Sequence, residues 1–186
     1  MSLTDVDWSL IPSPSDDGGA DHLEGMALAD VDLPSTDGGS VNLSTMRGLA
    51  VVYVYPMTGR PDRDLPDGWD DIPGARGCTP QSCAFRDHFA EMQEFEVQSL
   101  YGLSVQDTGY QKEAAGRLHL PFPLLSDADG AFGDAMELPR FEADGQKLLK
   151  RLTMIARDGV IEQVFYPVFP PDQDARNVID WLRDNA

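Results

Sequence analysis

Gly77-Cys78-Thr79-Pro80-Gln81-Ser82-Cys83-Ala84-Phe85-Arg86-Asp87 holds both cysteines of the chain, five positions apart. A nearly all-apolar run, Leu49 to Tyr55, lies upstream and reads as a buried central strand that Pro56 ends. Thr58 to Gly77 is rich in Pro and Gly and reads as a loop, long enough for a functional insertion or lid. Thr79-Pro80 is a helix-start signal, a capping hydroxyl followed by Pro in the first turn. The helix is expected to run to about Phe95, with Phe85, Phe89, Met92 and Phe95 on one face.

Further out, the pattern alternates. Asp37-Gly38-Gly39 is a hairpin turn signal between two short strands within the stretches Ala29 to Pro34 and Thr36 to Leu43. Val97 to Val105 reads as a strand, and Asp107 to Leu118 as a helix with Asp107 as its N-cap. Pro121 to Asp127 reads as a short strand and turn, and Ala128 to Met136 as a short helix. Leu152–Ala156 and Val160–Tyr166 form a hairpin around Arg157-Asp158-Gly159. A closing amphipathic helix spans Asp172 to Asn185, with Val178, Trp181 and Leu182 inward. This order predicts an α/β sandwich with a mixed central sheet and helices on both faces. Residues 1–25, rich in Ser, Asp, Gly and Pro, read as a flexible tail with one docking point at Trp8-Ser9-Leu10-Ile11, and 26–186 as a single domain.

The net charge of −18, from 32 acidic against 14 basic residues, argues against nucleic acid as a partner, since phosphate binding needs clustered Lys and Arg. Solubility accounts for such acidity. The excess of Asp over Glu, with Lys only at Lys112, Lys147 and Lys150, also fits adaptation to high salt. No apolar run is long enough for a membrane span and no secretory signal is visible, so a cytoplasmic location is expected. Two cysteines with His22, His88 and His119 off any zinc-finger spacing do not make a metal site.

A cysteine at a helix N-terminus meets unpaired backbone N–H groups and the positive end of the dipole, which favour the reactive thiolate. Arg76, Arg60 or an Arg from elsewhere in the fold can add positive charge. Five helical residues rise roughly 7.5 Å and turn roughly 140°, which puts the two Cα atoms roughly 8.7 Å apart. A disulfide needs about 4.4–6.8 Å. Both cysteines therefore cannot be helical and bonded at once, and a redox-driven unwinding suits a catalytic pair. The alternatives are Cys83 as a small buried hydrophobe and the pair as a structural staple.

The quoted stretch resembles the peroxidatic site of peroxiredoxins, most closely the bacterioferritin comigratory protein or peroxiredoxin Q type, which reads Gly-Cys-Thr, a second Cys, then Phe-Arg-Asp. Leu33-Pro34 with Asp37-Gly38 and Val41-Asn42-Leu43, the strand ending Tyr55-Pro56, Phe122-Pro123-Leu124-Leu125-Ser126-Asp127, and Arg151-Leu152-Thr153 follow in the family's order. The resemblance implies a thioredoxin-like three-layer sandwich with an N-terminal hairpin. It also implies reduction of hydrogen peroxide or organic hydroperoxides without metal or organic cofactor. Cys78 would attack the peroxide, Cys83 would resolve the sulfenic acid as an intramolecular disulfide, and Arg151 would stabilise the thiolate. Thioredoxin or a similar dithiol would be the reductant, and the chain a monomer or weak homodimer, with Trp69 or Phe169 as possible contact aromatics. A thioredoxin-fold disulfide exchanger or redox sensor is the alternative, although the cysteine spacing is wider than Cys-x-x-Cys. One departure stands out. The family carries Thr or Ser three residues before its first Cys, and this chain has Ala75 there. Thr58 is expected to supply the missing hydroxyl, with the inserted loop, residues 59–77, over the pocket.

Overall fold

The computed structural model describes residues 4–186. Leu49–Val54 (β3) is the middle strand of a five-stranded sheet ordered β5-β4-β3-β8-β9. Val97–Ser104 (β4) and Leu124–Ser126 (β5) lie parallel to it on one side. Leu152–Arg157 (β8) and Val160–Phe165 (β9) run antiparallel on the other. This is the mixed α/β sandwich the pattern called for. All six residues of β3 are buried, as a strand covered on both faces requires. Side chains alternate across the sheet: Val51, Tyr53 and Tyr55 pack into one core, Val52 and Val54 into the other.

The first core is roofed by Cys78–Asp87 (α1), Phe89–Glu94 (α2) and Asp174–Asn185 (α5). Tyr53 stacks on Phe85 of α1 with ring centroids 4.4 Å apart, and its hydroxyl donates to Ser82, which fixes the roll of the helix on the sheet. The second core is closed by Leu23, Leu28, the hairpin of Asp32–Pro34 (β1) and Ser40–Asn42 (β2), and Ala131–Ala135 (α4). Thr108–Arg117 (α3) flanks β5; Asp107 caps it, accepting from the Tyr110 N–H as expected.

Four features differ from the sequence reading. The helix expected to run to Phe95 breaks at His88, which closes α1 on the Ala84 carbonyl and opens α2. The cap of α1 is Gly77, not Thr79; its φ of +114° is one that only Gly takes without strain, so Cys78 itself becomes the first helical residue. A hairpin of Arg140–Ala143 (β6) and Gln146–Leu149 (β7), turning at Asp144-Gly145, was not foreseen. Finally, the described part of 1–25, expected as a flexible tail, is laid along the domain. Leu23 is fully buried, Trp8 Nε1 donates to Asp172 at 2.9 Å, and Asp17 takes both Lys150 and the Tyr166 hydroxyl at 2.7 Å. The Lys150 ammonium, then the Tyr166 hydroxyl, hold the Asp17 carboxyl well below the usual carboxylate range.

Candidate active site

The antiparallel pairing of β3 and β8 brings the end of one strand beside the start of the other, with Val54 opposite Leu152. Arg151, the residue before β8, therefore projects where the chain re-enters the domain to start α1. Its side chain is 3% exposed. Nη2 lies 3.3 Å from the Cys78 sulfur and also reaches the carbonyls of Gly74, Ala75 and Arg76 at 3.0–3.3 Å. One guanidinium thus moulds the last turn of the inserted loop and faces the thiol it delivers. Nη1 donates to Gln81 Oε1, one turn further along α1. Gln81 Nε2 donates to Asp174 Oδ2 at 2.7 Å, which also accepts from Thr153 Oγ1 at 2.7 Å.

Gly77 matters for space as well as for φ. A Cβ there would come within 2.6 Å of Pro171 and 2.7 Å of the Trp8 ring. The indole and the proline clamp the entry to α1 from outside, while Arg151 holds it from inside. Trp8 in turn meets Phe169 edge-on, at 5.9 Å between centroids. Phe169 thus has a partner within the chain and stays partly exposed, whereas Trp69 is only 4% exposed.

Cys78 is 3% exposed and its Sγ lies 3.9 Å from the Ala75 carbonyl. The space over it is about 10 Å³, lined by Met57, Gly59, Leu65, Trp69, Arg76, Gly77, Cys78 and Thr79. The inserted loop supplies most of that lid. Its apolar residues make a small core of their own on the β6–β7 hairpin: Trp69 and Ala75 pack with Ala143 and Leu148, and Trp69 meets Phe141 at 6.0 Å. Arg76 pairs with Asp70 across the loop at 3.0 Å.

Thr58 does not deliver the expected hydroxyl. Its Oγ1 donates to Gln106 Oε1 at 3.2 Å, its N–H goes to the same oxygen, and its carbonyl accepts from Tyr110 OH at 2.9 Å. The neighbours Met57 and Gly59 line the space above the sulfur, but Thr58 does not. Thr58 anchors the root of the loop to α3 and the turn before it. Cys83 lies in the same helix as Cys78, half-buried, and both thiols are free. Burial pushes the Cys83 thiol up, against the pull of Arg86. Arg86 bridges Asp87 and the Leu118 carbonyl, holding α1 to the end of α3.

A sequence profile of the redoxin family matches residues 23–179. The chain belongs to this family, among the peroxiredoxins. It is 31% identical to peroxiredoxin Bcp of Escherichia coli over 83% of this chain and 91% of that protein. It is 28% identical to the chloroplastic peroxiredoxin Q of Oryza sativa subsp. japonica over 81% of this chain, and spans 62% of that relative's length. Among solved structures, the peroxidoxin BcpB of Mycobacterium tuberculosis superposes with a TM-score of 0.71 at 26% identity, over 89% of this chain and 99% of that one. A peroxiredoxin Q of Xanthomonas campestris superposes at 0.66 with 22% identity, over 88% and 97%, and shares the fold.

In this peroxiredoxin the sequence named Cys78, Cys83 and Arg151, and the structure brings Cys78 and Arg151 into contact. It missed Gln81, Thr153 and Asp174. One signal was available for Asp174: it falls at the spacing of Val178 and Leu182, so a carboxylate sits on the buried stripe of α5. Trp8 was legible as a docking point, though not where it docks, and Trp69, which lines the space over Cys78, carried no signal for that place.

Proposed function

We propose that the chain is a thiol peroxidase that reduces hydrogen peroxide or organic hydroperoxides. The observation that carries this reading is the 3.3 Å approach of the buried Arg151 guanidinium to the Cys78 sulfur at the first turn of α1. A buried cation and a helix N-terminus both favour the thiolate, and the same cation can draw the peroxide oxygens to the sulfur. The thiolate attacks one peroxide oxygen. The S–O bond forms as the O–O bond breaks, and the departing alkoxide or hydroxide takes a proton. Cys78 is left as a sulfenic acid. Cys83 then attacks that sulfur, forming the disulfide and releasing water, and an external dithiol of the thioredoxin type restores both thiols.

Both cysteines lie in one continuous helix, so the resolving step requires α1 to unwind around its first turn. Cys78 is 3% exposed beneath the inserted loop, which keeps a protein disulfide from this sulfur while α1 is wound and favours the peroxidase over a disulfide exchanger. Half-exposed Cys83 offers the reductant its entry once the helix has opened. No helix among the described residues is long and apolar enough to cross a membrane. We take the chain to work in the cytoplasm as a monomer or weak dimer; among the described residues only Leu10 and Val160 are large exposed apolar side chains, which supports the monomer or weak dimer. The test is peroxide consumption coupled to a thioredoxin system. Turnover that is lost in Cys78→Ser supports the reading, and no turnover by the wild type overturns it.

A further inference from the structure

Three ionisable groups share the floor of the site. Arg151 faces the Cys78 sulfur with one nitrogen and, through Gln81, the Asp174 carboxylate with the other. Asp174 is fully buried; its Oδ2 takes both Thr153 and Gln81, and its Oδ1 has no partner. The Gln81 amide cannot turn over. Arg151 only donates, so it must meet Oε1, which leaves Nε2 to an acceptor on Asp174. A guanidinium is thus held between two groups that can each become an anion. Burying two anions against one cation costs more than burying one.

We propose that Asp174 is a positioning residue that sets how much of the Arg151 charge reaches the Cys78 sulfur, its carboxylate and the thiolate competing for one guanidinium. With Asp174 ionised, part of the Arg151 charge is neutralised from behind. With a proton on the free Oδ1, the whole charge faces the sulfur, and both bonds to Oδ2 persist. Burial pushes the Asp174 carboxyl up to about 6, against the bonds from Thr153 and Gln81 and the charge of Arg151. A thiolate at Cys78 adds a second negative charge to the same cation and pushes it further.

The charged or titratable groups around Asp174 come from four elements. They are Cys78 on α1, reached through Gln81, and Arg151 at the start of β8. Asp172, on the turn before α5, faces Trp8 through Oδ2, and Tyr53 on β3 is committed to Ser82. When the thiolate becomes a neutral sulfenic acid, Arg151 is left to Asp174, whose carboxylate is then favoured. The proton that Asp174 gives up matches the one the departing alkoxide takes. This last consequence rests on the peroxidase reading; the competition for Arg151 does not.

The experiment follows the thiolate by its ultraviolet absorbance across pH in Cys83→Ser, where Cys78 is the one thiol, and in the same protein carrying Asp174→Asn. Asn keeps the shape and the oxygen that Gln81 and Thr153 need. The thiolate is expected to form roughly one pH unit lower in the Asn variant. An unchanged or higher midpoint overturns the proposal. The reciprocal measurement is the Asp174 carboxyl titration by NMR in wild type and Cys78→Ser. Loss of the thiolate should lower the Asp174 midpoint, and no shift overturns the proposal even if the Asn variant does not fold. Neither readout uses peroxide, so both stand apart from a failure of the peroxidase activity.

Discussion

Cys78 and Cys83 occupy one helix in opposite settings. Cys78 opens α1, buried, with a guanidinium at 3.3 Å and the Trp8–Pro171 clamp on the glycine before it. Cys83 lies half-buried on the helix face, its thiol pushed up by burial despite Arg86. The contrast fits the proposed order of events, Cys78 first and Cys83 second. On the peroxidase reading, the first sulfur, beside the guanidinium at the start of α1, is the one that attacks. The second stays protonated and quiet while the helix is wound, and unwinding removes the burial that holds it so. A second thiolate at neutral pH in the wound state would merely compete for oxidant.

The largest effects should separate the two cysteines outright. Cys78→Ser should abolish peroxide consumption in the thioredoxin-coupled assay. Cys83→Ser should keep the first, stoichiometric reduction in a rapid-mixing measurement but lose steady-state turnover, with Cys78 advancing to sulfinic acid. Equal loss of the first turnover in both variants would erase the contrast. Next comes the charge at Cys78: Arg151→Met should lower kcat/KM for peroxide by about 10²–10³, with the circular dichroism spectrum unchanged.

A smaller effect sharpens the inner half of the site. The folded protein binds the Asp174 proton more tightly than the unfolded chain does, since the carboxyl moves from 3.8 to about 6. Its contribution to stability is therefore fully present below about pH 3.8 and is lost as pH rises through about 6. Wild type should lose at most about 3 kcal/mol relative to Asp174→Asn across that window, read from urea melts at stepped pH.

How far the sequence foresaw this arrangement depends on the range of the interactions. The central strand, the Asp107 cap and both predicted hairpins are set by neighbours in sequence, and the structure keeps them. The β6–β7 hairpin escaped because its turn, Asp144-Gly145, sits between strands of four residues, too short for an alternating pattern to register. The residues around the sulfur divide in the same way. Cys78 and Cys83 are legible in one stretch of eleven residues, and Arg151 by resemblance. Asp174 joins across 93 positions and Trp8 across 164, contacts no local pattern encodes. Thr58 was placed by analogy with a hydroxyl that this chain lacks at Ala75, and Gln106, 48 positions on, has claimed it.

Two substitutions probe the outer half of the site, where effects should be least. Trp8→Ala removes the ring against Gly77 and should cost about 1–2 kcal/mol in a denaturant melt. It should also speed formation of the Cys78–Cys83 disulfide after oxidation, because the wound state loses a clamp and the unwound state loses nothing. Thr58→Val should change peroxidase kcat/KM by no more than about twofold, since the hydroxyl it removes is bonded to Gln106 and not to the sulfur.

The most direct measurement is a peptide map of the reduced protein after one equivalent of hydrogen peroxide, read by mass spectrometry under non-reducing conditions. An order in which Cys78 attacks and Cys83 resolves predicts one product, a cross-linked pair of peptides joining Cys78 to Cys83 within a single chain, absent from both Ser variants. Free Cys78 beside an oxidised Cys83, or cross-links only between chains, would contradict it.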